Sequence, residues 1–119
     1  WLYRNIIPPK LQDLAFIGCE VSTFNNILTH GLQALWLQRL LSNHFQLPRP
    51  RVMEKAIEEE RSCKRAWMPP SSARASIWQL HMVKYHDNLV KDIGESHKRK
   101  GILCCCAEVF APYTARDYA

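Results

Sequence analysis

Glycine is scarce in this 119-residue chain: Gly18, Gly31, Gly94 and Gly101 are the only four, and no two lie within six residues of each other. Neither a G-x-G-x-x-G dinucleotide loop nor a P-loop can be assembled from them. Both need closely spaced glycines so that backbone N–H groups close on a phosphate. The chain therefore carries no complete nucleotide-phosphate cradle of its own. Long apolar runs are also missing. None approaches the ~20 residues that span a bilayer, and no signal-peptide pattern opens the sequence. No G-x-S-x-G elbow is present to present a nucleophilic serine. Metal-ligand spacing is absent as well: three of the five cysteines, Cys104, Cys105 and Cys106, are consecutive. Neighbouring side chains in extended backbone point to opposite faces, so such a triplet chelates poorly, and Cys19 and Cys63 have no partner at C-x2-C distance. A start at Trp1 rather than Met points to a piece of something longer.

What the chain does contain is ordinary for a folded protein: 47% hydrophobic and 23% charged residues. A domain of this size buries roughly two thirds of the surface its unfolded chain exposes. The net charge of +5 is local. Residues 49–100 hold twelve Lys/Arg against seven Asp/Glu, while the remainder holds four of each. Acids and bases alternate through Glu54, Lys55, Glu58, Glu59, Glu60, Arg61, Lys64 and Arg65, which marks a solvated helix face and not a nucleic-acid surface. The run His97-Lys98-Arg99-Lys100 before Gly101 reads as a loop. An odd number of unpaired cysteines suits a reduced, intracellular, cytoplasmic setting, with the triplet as small hydrophobic filler and not a lipid attachment site.

Along the chain, Trp1 to Pro9 forms an apolar, extended opening stopped by a double proline, and Lys10 to Asp13 reads as a turn. Leu14-Ala15-Phe16-Ile17-Gly18 follows. Its continuous apolarity predicts a strand covered on both faces, as in parallel sheets. Parallel strands need parallel neighbours reached through crossovers, and no second run of this kind occurs. The sheet for this strand is expected elsewhere. From Asn26 the period becomes helical: Leu28, Leu32, Leu35, Trp36 and Leu40 make one apolar stripe. Thr29 is a candidate N-cap, with Asn25 and Asn26 as competitors. After a proline-marked link over His44 to Pro50, a second helix is predicted from about Arg51 to Trp67, with Met53, Ala56, Ile57 and Cys63 on its inner face. Met68-Pro69-Pro70-Ser71-Ser72 breaks it. A third helix is predicted over Ala73 to Ile93, with Trp78, Met82, Tyr85, Leu89 and Ile93 as its stripe and Gly94 at C′. The tail, Ala107 to Tyr113, is extended and aromatic.

Candidate chemistry is thin. His81 and His86 stand about 140° apart around a helix, unlike the i, i+4 pairs that bind metal, and Glu58, Glu59 and Glu60 splay around theirs. One unit has a physical rationale: a buried strand ending at Gly18, a short polar connection, then a helix entered near Thr29. Ligands of open α/β sheets lie beyond the carboxyl ends of strands, helix N-termini favour electron-rich atoms, and a strand-end glycine admits a flat cofactor.

The order of these pieces resembles the late segment of flavin-containing monooxygenases. The resemblance is carried first by Leu2-Tyr3-Arg4, Ile6-Ile7-Pro8-Pro9, Leu11 and Leu14-Ala15-Phe16-Ile17-Gly18. Thr29, Leu32-Gln33-Ala34, Trp36-Leu37, Leu40-Leu41, Leu47-Pro48 and Met53-Glu54 continue it. The second half is similar to the plant and algal branch, through Leu80-His81, Tyr85, Asp87, Leu89, Lys91-Asp92 and Gly94, then Lys98 to Gly101, Glu108, Phe110, Pro112-Tyr113 and Asp117-Tyr118. The chain departs from the family at Gly31, where Glu is usual, at Leu35, often Arg, and at the cysteine triplet.

The resemblance implies a mainly α chain. One or two short strands would complete the parallel sheet of an absent FAD-binding, Rossmann-like α/β domain, and a helical C-terminal extension would follow. Residues 1–46 would end the FAD domain and residues 47–119 would form the extension. It implies an FAD- and NADPH-dependent monooxygenase, transferring oxygen through a C4a-hydroperoxyflavin to a soft nitrogen or sulfur nucleophile or a carbonyl. Both cofactors would be held mainly by upstream sequence, and the isolated chain would be inactive. Gly18 would let the backbone approach FAD, Thr23, Asn25 and Asn26 would lie beside the flavin, Thr29 would cap the helix facing the ring, and Gln33 would hydrogen-bond nearby. No catalytic acid, base or nucleophile and no metal ligand is assigned. The expected partners are the rest of the parent FAD and NADPH domains and a small-molecule nucleophile, with no nucleic acid and no transmembrane anchor in this chain. The competing reading is a small helical interaction module without catalytic function.

Overall fold

The computed structural model describes residues 1–19, 26–71 and 82–95. Three helices run through them: α1 (Asn26–Leu41), α2 (Pro50–Trp67) and α3 (Met82–Asp92). The ends of each follow from local chemistry. Pro50 stands at the start of α2, where its missing N–H has no intrahelical partner to lose. The same helix stops where Met68 turns extended at φ −104°, ψ 138°, as a residue before proline prefers. Gly94 adopts φ +81° after α3. Its N–H bonds the Lys91 carbonyl at 3.1 Å and the Glu95 N–H bonds that of Val90 at 3.1 Å, the paired closure of a Schellman motif. Asn43, at φ +58°, ends α1 the same way, with Asn43 N–H on Leu40 and His44 N–H on Arg39, both at 3.0 Å.

The opening is not extended as expected. Arg4 and Asn5 both take positive φ, 51° and 55°, and the Ile6 N–H bonds the Tyr3 carbonyl at 3.0 Å. The chain therefore folds back in a turn with two left-handed central residues, the signature of type I′. Tyr3 and Ile7 form an isolated antiparallel bridge. This hook buries Tyr3, Ile6 and Ile7 in one core with Leu32 and Trp36 of α1, Met53 and Ile57 of α2, and Tyr85, Leu89 and Val90 of α3. Each large side chain sequestered there contributes about 1.5–3 kcal/mol, and α1 lies directly against α3.

Among the described residues there is no strand, so the chain is mainly helical and the strand expected at 14–18 is not formed. Leu14, Phe16 and Ile17 are 45%, 37% and 45% exposed. A strand exists only by pairing, and the elements beside this run are helices and a turn. Its backbone instead finds single partners: Leu14 N–H on the Leu11 carbonyl at 3.1 Å and Phe16 N–H on that of Ile6 at 2.9 Å.

The helix faces also differ in detail. Thr29 lies inside the first turn of α1, not at its cap, and the buried stripe is Thr29, Leu32, Gln33 and Trp36, with Leu35 exposed. On α2 the inner face is Met53, Ile57 and Lys64, and Cys63 is exposed. Ala73 to His81 lie outside the described residues, so the predicted third helix is seen from Met82 onward. There Tyr85 and Leu89 are buried as expected, joined by His86 and Val90.

Candidate functional site

Two polar residues occupy core positions of α1, and their satisfaction defines the site. Thr29 and Gln33 are 0% exposed, and buried polar groups are stable only when hydrogen-bonded. Thr29 Oγ1 shares a hydrogen bond of 2.9 Å with His86 Nε2. Gln33 bonds at both ends of its amide. Its Oε1 accepts from the Gly18 N–H at 2.9 Å, and its Nε2 donates to the Tyr85 hydroxyl at 2.8 Å. That hydroxyl donates onward to the Arg4 carbonyl at 2.8 Å. A single chain of hydrogen bonds thus joins the end of the 14–18 run, α1, α3 and the N-terminal turn.

A charged cluster adjoins it. Arg4 Nε donates to Asp92 Oδ2 at 2.7 Å and Nη2 to Oδ1 at 2.9 Å, the two-pronged geometry that favours arginine over lysine. Trp36 Nε1 donates to the same Oδ2 at 3.2 Å. Burial works against the Arg4 charge, but the hydrogen bond and charge of Asp92 more than offset it and raise the guanidinium further. Burial also raises the Tyr3 phenol, with Arg4 opposing.

Beyond Arg4 lies a cleft of about 320 Å³ lined by Glu60, Lys64, Trp67, Lys84 and Asn88 among others. Lys64 Nζ bonds Glu60 Oε1 at 2.9 Å and sits 5.3 Å from the Trp1 ring centre. Desolvation raises the Glu60 carboxyl against the pull of Lys64, and desolvation lowers the Lys64 amine against the pull of Glu60. A carboxyl whose folded pKa lies above its unfolded value stabilises the fold fully below the unfolded pKa, near 4.5, and that contribution is lost as pH rises through the folded pKa. Urea unfolding of wild type and Glu60→Gln across pH 4–8 is therefore expected to show wild type losing ground to the variant as pH rises through that window. A pH-independent difference would contradict it.

The structure places the sequence-derived candidates as follows. Gly18 stands at φ +76°, and a Cβ built there would meet the His30 ring at 3.2 Å. Gly18, Thr29 and Gln33 come together around the N-terminal half of α1. Thr23, Asn25 and the Asn26 side chain lie outside the described residues. Arg4, Asp92 and Tyr85 had no such role in the sequence, because their partners are 81 and 88 positions away. The one legible hint was a threonine and a glutamine set one helical turn apart beside the apolar stripe of α1. Among the described residues no group of His, Cys, Asp or Glu could hold a metal ion, and no helix is long and apolar enough to cross a membrane.

Comparison with known proteins adds one relative. The chain is 30% identical over 121 aligned residues to the probable flavin-containing monooxygenase 1 of Arabidopsis thaliana. The match takes in 98% of this chain but 21% of that protein, so the chain spans about a fifth of the length of the relative it matches. No family model matches, and no solved structure matches.

Proposed function

We propose that this chain is the C-terminal segment of an FAD- and NADPH-dependent monooxygenase acting on soft nitrogen or sulfur nucleophiles, or on carbonyl compounds. The observation that carries the reading is the similarity to a flavin-containing monooxygenase, which runs through nearly all of this chain and a small part of the relative. The exposed apolar run at 14–18 supports it, because an unpaired segment of that composition suits a missing sheet.

The described residues do not make a flavin site by themselves. Thr29 and Gln33 are sealed from solvent and bonded to His86, Gly18 and Tyr85. The space a side chain would take at Gly18 is occupied by His30. No chemical step is therefore derived from them. A bound flavin, reduced by NADPH, would supply the oxygen activation, and the rest of the parent protein would hold it. In this reading Thr23, Asn25 and Asn26 remain the candidates for flavin contact, while Gly18, Thr29 and Gln33 are engaged by partners within the chain. The segment from residue 47 onward, which includes α2 and α3, would serve as a cover that limits water.

A second reading, a helical interaction module without catalytic function, is favoured by the core that the described residues close among themselves. One chimera separates the two. Residues 1–119 replace the matching 21% of the Arabidopsis protein, and the product is assayed for bound flavin and NADPH oxidation. Copurified flavin is expected. A chimera that is folded by circular dichroism and monodisperse, yet flavin-free where the parent is loaded, overturns the monooxygenase reading and leaves the module.

A further inference from the structure

The cleft between α2 and α3 gathers groups that the monooxygenase reading leaves unused. Glu60, Lys64 and Trp67 follow one another at helical spacing and share one face of α2. Lys84 and Asn88, one turn apart, share a face of α3. Together with Arg4 they line a space of about 320 Å³, within the range of small-molecule sites, roughly 300–1,000 Å³. The charges lining it do not cancel. Arg4 is held by Asp92, Lys64 by Glu60, and Glu59 by Lys55. Among the described residues Lys84 stands outside any ion pair, and it is exposed. Its ammonium is the lining charge left to meet an incoming group, so that group is an anion. A cation would compete with Lys55 and Lys64 for acids already paired. The apolar part of the wall is the Trp67 ring, 36% exposed. Desolvation acts on both Glu60 and Lys64, which marks that side of the cleft as poor in water.

We propose that this cleft binds a small aromatic oxyanion, its charged oxygens received by Lys84 and the Asn88 amide and its ring laid against Trp67. Lys64 and Trp67 make further interactions within the chain, so polar recognition falls to the two α3 residues, and Trp67 contributes ring surface only. A flat ring beside an indole gains from offset stacking as well as from burial. The ammonium supplies a charge-assisted hydrogen bond to the anion. Every residue used belongs to the described part of this chain, so the site goes beyond the monooxygenase reading and stands without it.

Benzenesulfonate is the probe, titrated into the 119-residue chain and followed by nitrogen–proton NMR. One saturable set of shifts is expected at the Asn88 side-chain amide, the Lys84 backbone amide and the Trp67 indole. Benzenesulfonamide keeps the shape without the charge, and methanesulfonate keeps the charge without the ring. Each is expected to bind about tenfold more weakly. Lys84→Gln is expected to lower benzenesulfonate affinity about tenfold, the loss that one charged hydrogen bond carries, and Lys84→Arg to restore most of it. Circular dichroism and melting should stay at wild type in both, because the side chain is exposed. Added sodium chloride is expected to weaken benzenesulfonate binding and to leave benzenesulfonamide binding unchanged, since salt screens an exposed charge. Absence of saturable shifts at these three groups, or shifts confined to the exposed 14–17 run, overturns the proposal. So does equal affinity for benzenesulfonate and benzenesulfonamide, or wild-type affinity in Lys84→Gln.

Discussion

Asp92→Ala is expected to lower the free energy of unfolding by about 3 kcal/mol, the lower end of the cost of breaking a buried ion pair. The lower end applies because the Arg4 and Asp92 side chains keep 22% and 15% of their exposure. The carboxylate receives two bonds from Arg4 and one from Trp36, so its removal strands a guanidinium and an indole N–H at once. Against the ~5–15 kcal/mol that holds a domain together, that is a large fraction. Asp92→Asn keeps the shape and one acceptor but not the charge, and its cost is expected to fall between wild type and Asp92→Ala. Arg4→Met with Asp92→Leu removes the charges as a pair and is expected to recover most of the loss. Urea denaturation at neutral pH reads all four proteins. If Asp92→Ala stays within about 0.5 kcal/mol of wild type, the pair behaves as a surface salt bridge and is no anchor.

Trp36→Ala is expected to cost about 3–5 kcal/mol, the range for deleting a large aromatic from a core. Trp36 is fully buried. Its ring meets Phe45 edge-on at 5.0 Å and tilts toward Tyr3 at 6.5 Å, so its loss opens a cavity where α1, the N-terminal turn and the link to α2 converge. At roughly 4 °C per kcal/mol for a chain of this size, melting should drop by more than about 10 °C. Trp36→Phe keeps much of the ring and loses the indole donor. Its smaller cost is expected to overlap with that of Asp92→Ala, because both remove the same bond. The double variant Trp36→Phe/Asp92→Ala should therefore cost less than the sum. Strict additivity would show that the indole and the carboxylate are not coupled.

The reach of sequence reasoning differs from element to element. α2 was legible almost to the residue, since Pro50 and the Met68-Pro69-Pro70 break act on the backbone locally. Gly94 was legible as the end of α3 for the same reason. Asn43, the equivalent cap of α1, was not singled out, although asparagine is the usual substitute for glycine in that conformation. Over 14–18 no strand forms among the described residues, because continuous apolarity reports what a segment would bury, not whether a partner is present to bury it. On α1 the predicted stripe holds at Leu28, Leu32, Trp36 and Leu40, and fails at Leu35, which is exposed. Thr29 and Gln33 read as polar from sequence, yet the fold buries both against α3.

The sequence by itself determined the presence of the helices, both ends of α2, the Gly94 end of α3 and the absence of a phosphate cradle, because capping, proline breaks and glycine spacing operate over a few residues. Only the tertiary structure decided which faces turn inward and how Arg4, Trp36, Tyr85 and Asp92 become one cluster. Those contacts join residues up to 88 positions apart, and no local pattern encodes a partner at that distance. Burying Thr29 and Gln33 is tolerable only once His86, Tyr85 and Gly18 are in place to satisfy them, so the candidate site is a property of the assembled fold.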